Sequence, residues 1–221
     1  MFTKKEKRLA GEGCFTIIRE MERYQFYCMN LAQRGFAVVN FTYHLASKYK
    51  FPQPLLDTKN IFAVGDSAGA HLLSLYCVLC TNSDYAALFD FSAGKDALPK
   101  AVGPNCGAYD VSHSNGLNGR LMKDYLPHRG TQEELERVNP LNRITYAFPP
   151  VYIMTAIKDF LRKDALKLQN KLDTLGVPNE CRLYDNAVHS LGHVFHLNIR
   201  SDDAKVCNDE ECRFFREHMK A

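Results

Sequence analysis

Apolar residues fall along the chain in short blocks whose period changes. Residues 36–43, 61–64, 101–103, 150–156 and 181–184 are short runs rich in Val, Ile, Tyr and Phe, the pattern of strands. Residues 19–34, 68–80, 161–175 and 202–218 instead read as helices, 161–175 amphipathic and 202–218 polar, and Gly35 and Gly176 follow two of the helix ends. Strand and helix therefore alternate, which predicts an α/β fold with a mostly parallel sheet and helices on both faces. Residues 11–15 read as a small-residue loop. From 109 to 148 the pattern turns irregular, broken by Gly116, Gly119, Pro127, Gly130 and Pro140 around a short helical piece at 132–138, and reads as a cap-like insertion above the sheet. The whole, 1–221, reads as one domain without internal repeats.

Gly65-Asp66-Ser67-Ala68-Gly69 stands where one strand hands over to a helix. A serine with glycine two positions either side fits the G-x-S-x-G nucleophile elbow, a turn so tight that side chains at the flanking positions would collide. The turn holds the serine in strained dihedrals and lifts its hydroxyl clear of the sheet, while the helix starting at Ala68 aims backbone N–H groups at whatever the serine attacks. An ordinary serine N-cap would show the same letters, so the rest of the chain has to decide.

Composition narrows the classes. With 221 residues and 46% hydrophobic content the chain can fill one substantial core. Its 28 basic and 25 acidic residues leave a net charge of +3, and the only dense cationic run is Lys4-Lys5-Glu6-Lys7-Arg8, too little for a nucleic-acid groove. No apolar run reaches the length of a membrane span and the N-terminus has no signal-peptide core, so the expectation is a cytoplasmic protein without membrane or nucleic-acid partners. Eight cysteines scattered through the elements read as reduced, buried thiols. Cys77 and Cys80 form a C-x-x-C pair, but among Leu72, Leu73, Leu75, Val78 and Leu79 they read as core, as Cys207 and Cys212 read as plain thiols.

In such sheets active residues lie at the C-terminal ends of the strands. Ser67 occupies one such end, Asp159 follows the strand ending near Ala156, and His193 lies beyond the strand at 181–184. The chain order Ser, Asp, His is that of the α/β-hydrolases. Ser67 would attack an acyl carbon, His193 would take and return the proton, and Asp159 would fix the imidazole tautomer. Asp164 and Asp185 compete for the acid; His189 and His196 compete closely with His193. The small-residue turn Leu191-Gly192 favours His193, and His71 reads as a satisfied helix-face residue.

The sequence resembles the hormone-sensitive-lipase-like α/β-hydrolases, particularly bacterial acetyl esterases and carboxylesterases. The resemblance is carried by Gly65-Asp66-Ser67-Ala68-Gly69, by Asn40-Phe41-Thr42-Tyr43-His44-Leu45 followed by Phe51-Pro52 and Asp57, by Asp159-Phe160-Leu161-Arg162 and by His193-Val194-Phe195. It implies an esterase acting on short or medium acyl chains, without metal or organic cofactor. It also implies an oxyanion hole built from the Ala68 N–H together with Gly13 and Cys14, since the family's His-Gly-Gly-Gly loop corresponds to the segment around Gly11-Glu12-Gly13-Cys14. Two departures stand out: Glu12 puts a negative charge into that loop, and His44 replaces the family's arginine.

Only ten polar residues precede Gly11, so the fold reads as shortened at its N-terminus, without the strand that should lead into the oxyanion loop. The crossover from 43 to 61 contains Pro52 and Pro54 and leaves little room for a helix. Chain breaks near Ala10-Gly11 and Asp57-Thr58, or a second chain covering the sheet, are the expected consequence. Tyr125, Leu126, Tyr146 and Phe148 are candidate pocket liners. The function classes are then a serine esterase with a small-molecule ester substrate, which admits a homodimer; a peptidase or lipase on the same triad; and a non-catalytic remnant that kept the triad letters.

Overall fold

In the computed structural model, residues 13–18, 21–42, 62–94, 97–112, 122–186, 188 and 190–218 are described. Strand β1 (Gly13–Ile18) leads into helix α1 (Met21–Gln33) and strand β2 (Ala37–Thr42). Strand β3 (Phe62–Asp66) is followed by α2 (Ala68–Thr81) and the short α3 (Ser83–Ala86), and then by β4 (Val102–Asn105). After α4 (Gln132–Arg137) come β5 (Val151–Ala156), α5 (Arg162–Thr174), β6 (Asn179–Tyr184) and α6 (Asp202–His218). The strands form one six-stranded sheet in the order β2-β1-β3-β4-β5-β6, with every neighbouring pair parallel.

Buried strands show period 2 in which core each side chain enters. Ala63 of β3 and Val151 and Ile153 of β5 pack on one face with α2 and α5, through Ala70, Leu73, Leu168 and Leu172. Phe62 and Val64, with Tyr152 and Met154, pack on the other face with α1 and α6, through Leu31, Cys212 and Phe215. Near-continuous apolar runs are what a strand covered on both faces requires, because neither side meets water.

The strand order places the site. From β1 the chain moves outward to β2, and from β3 it moves the opposite way to β4, so the connections leaving the C-terminal ends of β1 and β3 diverge to opposite faces. A crevice opens at such a switch point, the usual ligand position in open parallel sheets. Ser67 follows β3 at that point.

β1 corrects the reading of residues 11–15 as a loop. Gly13, Cys14 and Phe15 are strand residues, with Cys14 opposite Phe62 and Ile17 opposite Gly65. Gly11 and Gly13 drew attention to a turn, whereas Cys14-Phe15-Thr16-Ile17-Ile18 is apolar and β-branched, the composition of a buried strand. The strand expected to be missing beside β3 is therefore present. The suspected breaks at 10–11 and 57–58, and Glu12, fall outside the described residues.

Candidate active site

Ser67 has φ 56° and ψ −112°, a conformation that a non-glycine residue holds only when its surroundings impose it. Two backbone bonds do so: the Ser67 N–H donates to the carbonyl of Asn105 at 3.0 Å, and the Ser67 carbonyl accepts from the His71 N–H at 3.2 Å. A Cβ at Gly65 would stand 2.6 Å from the Gly69 carbonyl oxygen, so strand and helix approach too closely for any larger residue. Ser67 is half-buried and Ala68 exposed, which leaves the tip of the elbow open. The leading N–H groups of α2 have no acceptor within the helix.

Asp159 follows β5 and is enclosed, with its side chain 0% exposed. Its Oδ1 accepts from the Leu161 N–H at 2.9 Å, its Oδ2 accepts from the Thr155 hydroxyl at 3.1 Å, and His193 Nδ1 lies 2.9 Å from Oδ1. Burial pushes the carboxyl pKa up, but hydrogen bonds from His193, the Cys106 thiol and the Leu161 amide outweigh it and hold the group below the usual carboxylate value. A carboxylate kept ionised fixes the proton on Nδ1 and leaves Nε2 free to accept one. The His193 loop is tied down where the Lys158 N–H donates to the Leu191 carbonyl at 3.1 Å. Val194 beside it has φ 52°, a left-handed position that β-branched residues rarely take. The Phe160 ring, 61% exposed, covers His193 with a centroid separation of 4.4 Å.

The competing residues lie elsewhere. Asp164 sits in α5, where its Oδ2 accepts from the Tyr109 and Asp110 N–H groups, and Asp185 is exposed after β6. His71 is buried in α2 and its Nε2 donates to the Val138 carbonyl at 2.8 Å; burial lowers its pKa. His189 is outside the described residues. Cys77 and Cys80 are buried free thiols, and burial raises the pKa of both.

Gly13 and Cys14 do not sit with Ser67. They open β1, at the N-terminal end of a parallel sheet, and Cys14 is level with Phe62. Ser67 lies five positions beyond Phe62, roughly 16 Å at the usual rise. Neither can donate to an oxyanion at the elbow. The pocket reading of the aromatic set also changes: Leu126 and Phe148 are core side chains, Tyr146 is 82% exposed, and Tyr125 packs its ring against that of His71.

Three features escaped the sequence. Asp66, inside the elbow motif, lies 3.2 Å from His196 Nε2, with both side chains enclosed. Glu211 of α6 is buried nearby and accepts from the Tyr27 hydroxyl and from Asn105 Nδ2, both at 2.7 Å. Cys106, at φ 47° directly after β4, brings its thiol to the Asp159–His193 pair. The place of Asp66 inside the elbow motif was one available signal, and His196 stood out only as a rival to His193; Glu211, distant in sequence, carried none.

A family model described as the alpha/beta hydrolase fold matches residues 55–193, more than half of the chain. The chain belongs to that family, as its hormone-sensitive-lipase-like motifs implied. Among solved structures it resembles esterase B from Lactobacillus rhamnosis, with TM-score 0.79 at 19% identity over 95% of this chain and 77% of that one. It also resembles the Pyrobaculum calidifontis esterase, with TM-score 0.73 at 17% identity over 95% and 78% of the two chains. An acetyl ester-xyloside bifunctional hydrolase from Caldicellulosiruptor lactoaceticus follows at TM-score 0.71 and 16% identity, over 93% and 83%. No curated protein matches the chain in sequence. The fold is thus esterase- and lipase-like, and among the described residues no helix is long and apolar enough to cross a membrane.

Proposed function

We propose that the chain is a serine carboxylic-ester hydrolase acting on short or medium acyl esters through Ser67, His193 and Asp159. The observation that carries this reading is the 2.9 Å contact between His193 and an enclosed Asp159, on the same edge of the sheet as the strained Ser67. His193 Nε2 takes the Ser67 hydroxyl proton as Oγ attacks the acyl carbon, then gives that proton to the departing alcohol, leaving an acyl-enzyme. Water repeats the cycle and frees the acid. The Ala68 N–H, first in α2, supplies one oxyanion donor. The esterases of similar fold support the substrate class.

The non-catalytic alternative rested in part on a missing strand, which β1 supplies. An aryl acetate assay and a phosphonate serine label test the proposal together. Hydrolysis that falls at least about a thousandfold in Ser67→Ala, with labelling at Ser67 only, is the expected result. Neither turnover nor labelling in the unmodified protein would reject it. Rates measured from acetate to long-chain esters then check the acyl preference, which predicts a decline with chain length.

A further inference from the structure

Cys106, Asp159 and His193 follow three adjacent strands, β4, β5 and β6, so their connections converge on one point. One ligand atom from each, the Cys106 thiol sulfur, an Asp159 carboxylate oxygen and a His193 ring nitrogen, lie within 4.8 Å of one another. From this convergence we infer that the three side chains form a binding site for a thiophilic divalent cation, of which Zn2+ is the type, and that its occupation switches the site off.

The donor set is mixed soft and hard, a thiolate with an imidazole and a carboxylate, which favours zinc over magnesium or calcium. Zinc–ligand bonds of about 2.0–2.3 Å place neighbouring tetrahedral ligands about 3.5 Å apart, so the three atoms need only small shifts to enclose an ion. His193 and Asp159, at 2.9 Å, are already inside that spacing. Met154 Sδ, 3.6 Å from Cys106 Sγ, adds a polarisable neighbour behind the thiol. Cys106 and Val194, both non-glycine, hold left-handed φ values of 47° and 52° beside these groups. His193 is partly exposed and gives a path from solvent, with water completing the coordination shell. On binding, the thiol proton passes to solvent and the thiolate takes the metal.

Inhibition follows from which nitrogen is taken. An ion on Nδ1 takes the lone pair there and moves the neutral imidazole's single N–H proton from Nδ1 to Nε2, which then cannot accept one from Ser67. This half of the inference rests on the hydrolase reading; the metal site itself does not.

The test uses the full chain freed of metal, with Zn2+ for inhibition of aryl acetate hydrolysis and Co2+ as a spectroscopic probe. A thiolate-to-cobalt charge-transfer band, lost in Cys106→Ser and retained in Cys77→Ala, is expected. Zinc inhibition reversed by a chelator, and weakened about tenfold or more in Cys106→Ser relative to that variant's own metal-free rate, should accompany it. Serine is nearly isosteric and can still donate to Asp159, and Cys106→Ala with a thermal-melt check guards against misfolding. No thiolate band in the unmodified protein, or an unchanged band and inhibition in Cys106→Ser, would overturn the inference. A band dependent on Cys106 in a protein without metal-free turnover would uphold the metal site and reject the hydrolase reading instead.

Discussion

His196 Nε2 stands 3.2 Å from Asp66 Oδ1 with both side chains shut away from water, and Asp66 is one residue before the strained Ser67. Tyr27 meets the His196 ring edge-on at 5.1 Å, Phe195 packs against it, and the carboxylate of Glu211 adds a second negative charge. Burial lowers the imidazole pKa, but Asp66 and then Glu211 more than reverse it, so the folded value is raised. The pair therefore stabilises the fold fully below the ordinary histidine range and less as pH rises through the raised value. Replacing His196 by Gln strands Asp66 as an unpaired buried charge and should cost about 3–5 kcal/mol. Urea melts of both proteins from mildly acid to alkaline pH check this. The stability gap should narrow as pH rises, and a gap independent of pH would remove the charge pair from the account.

Asp159 shifts the other way. Its folded pKa is lowered, so its stabilising contribution is present above the ordinary carboxylate range and disappears as pH falls through the folded value. Asp159→Asn should lower turnover by about three to four orders of magnitude by favouring the wrong imidazole tautomer. Its stability should approach that of the unmodified protein on acidification. Near-normal turnover in the variant would assign the role to another carboxylate.

Gly65→Ala tests the close approach at the elbow. The added methyl meets the carbonyl of Gly69 at 2.6 Å, backbone against backbone, with no flexible side chain to give way. The cost should be about 1–3 kcal/mol in denaturant melts, together with loss of phosphonate labelling as Ser67 moves. Labelling at the original rate would show that the turn absorbs the methyl.

Phe160→Ala removes the ring that lies 4.4 Å from His193. Aromatic pairs contribute about 0.5–1.5 kcal/mol, so turnover should drop roughly two- to tenfold in an unchanged fold, with kcat more affected than KM. An unaltered kcat would leave the ring a bystander.

Much of this molecule could be read from its letters, for definite reasons. The elbow imposes glycines at fixed offsets, the apolar runs of β3 and β5 have to be continuous because both faces are covered, and helix 161–175 shows its apolar stripe at helical spacing before the Gly176 stop. β1 was misread because two glycines outweighed the β-branched run behind them. Asp66, His196 and Glu211 come together only through the packing of α6 beneath the sheet, a relationship no local spacing encodes. The histidine choice was similar: His193 and His196, three residues apart on either side of the turn at Val194, meet Asp159 and Asp66 respectively.

Four described non-glycine residues hold left-handed φ, and three of them, Ser67, Cys106 and Val194, stand at the ends of neighbouring connections over the same edge of the sheet. Each such conformation costs of order 1–3 kcal/mol, so the molecule is least relaxed where its reactive groups meet. Glycine at Cys106 or Val194 would relieve that backbone strain while removing a side chain packed in the core or against it. It would also let the two connections wander. Selection for heat resistance and selection for turnover thus pull on the same few dihedral angles in opposite directions, and a variant bred for endurance alone should lose its chemistry here first.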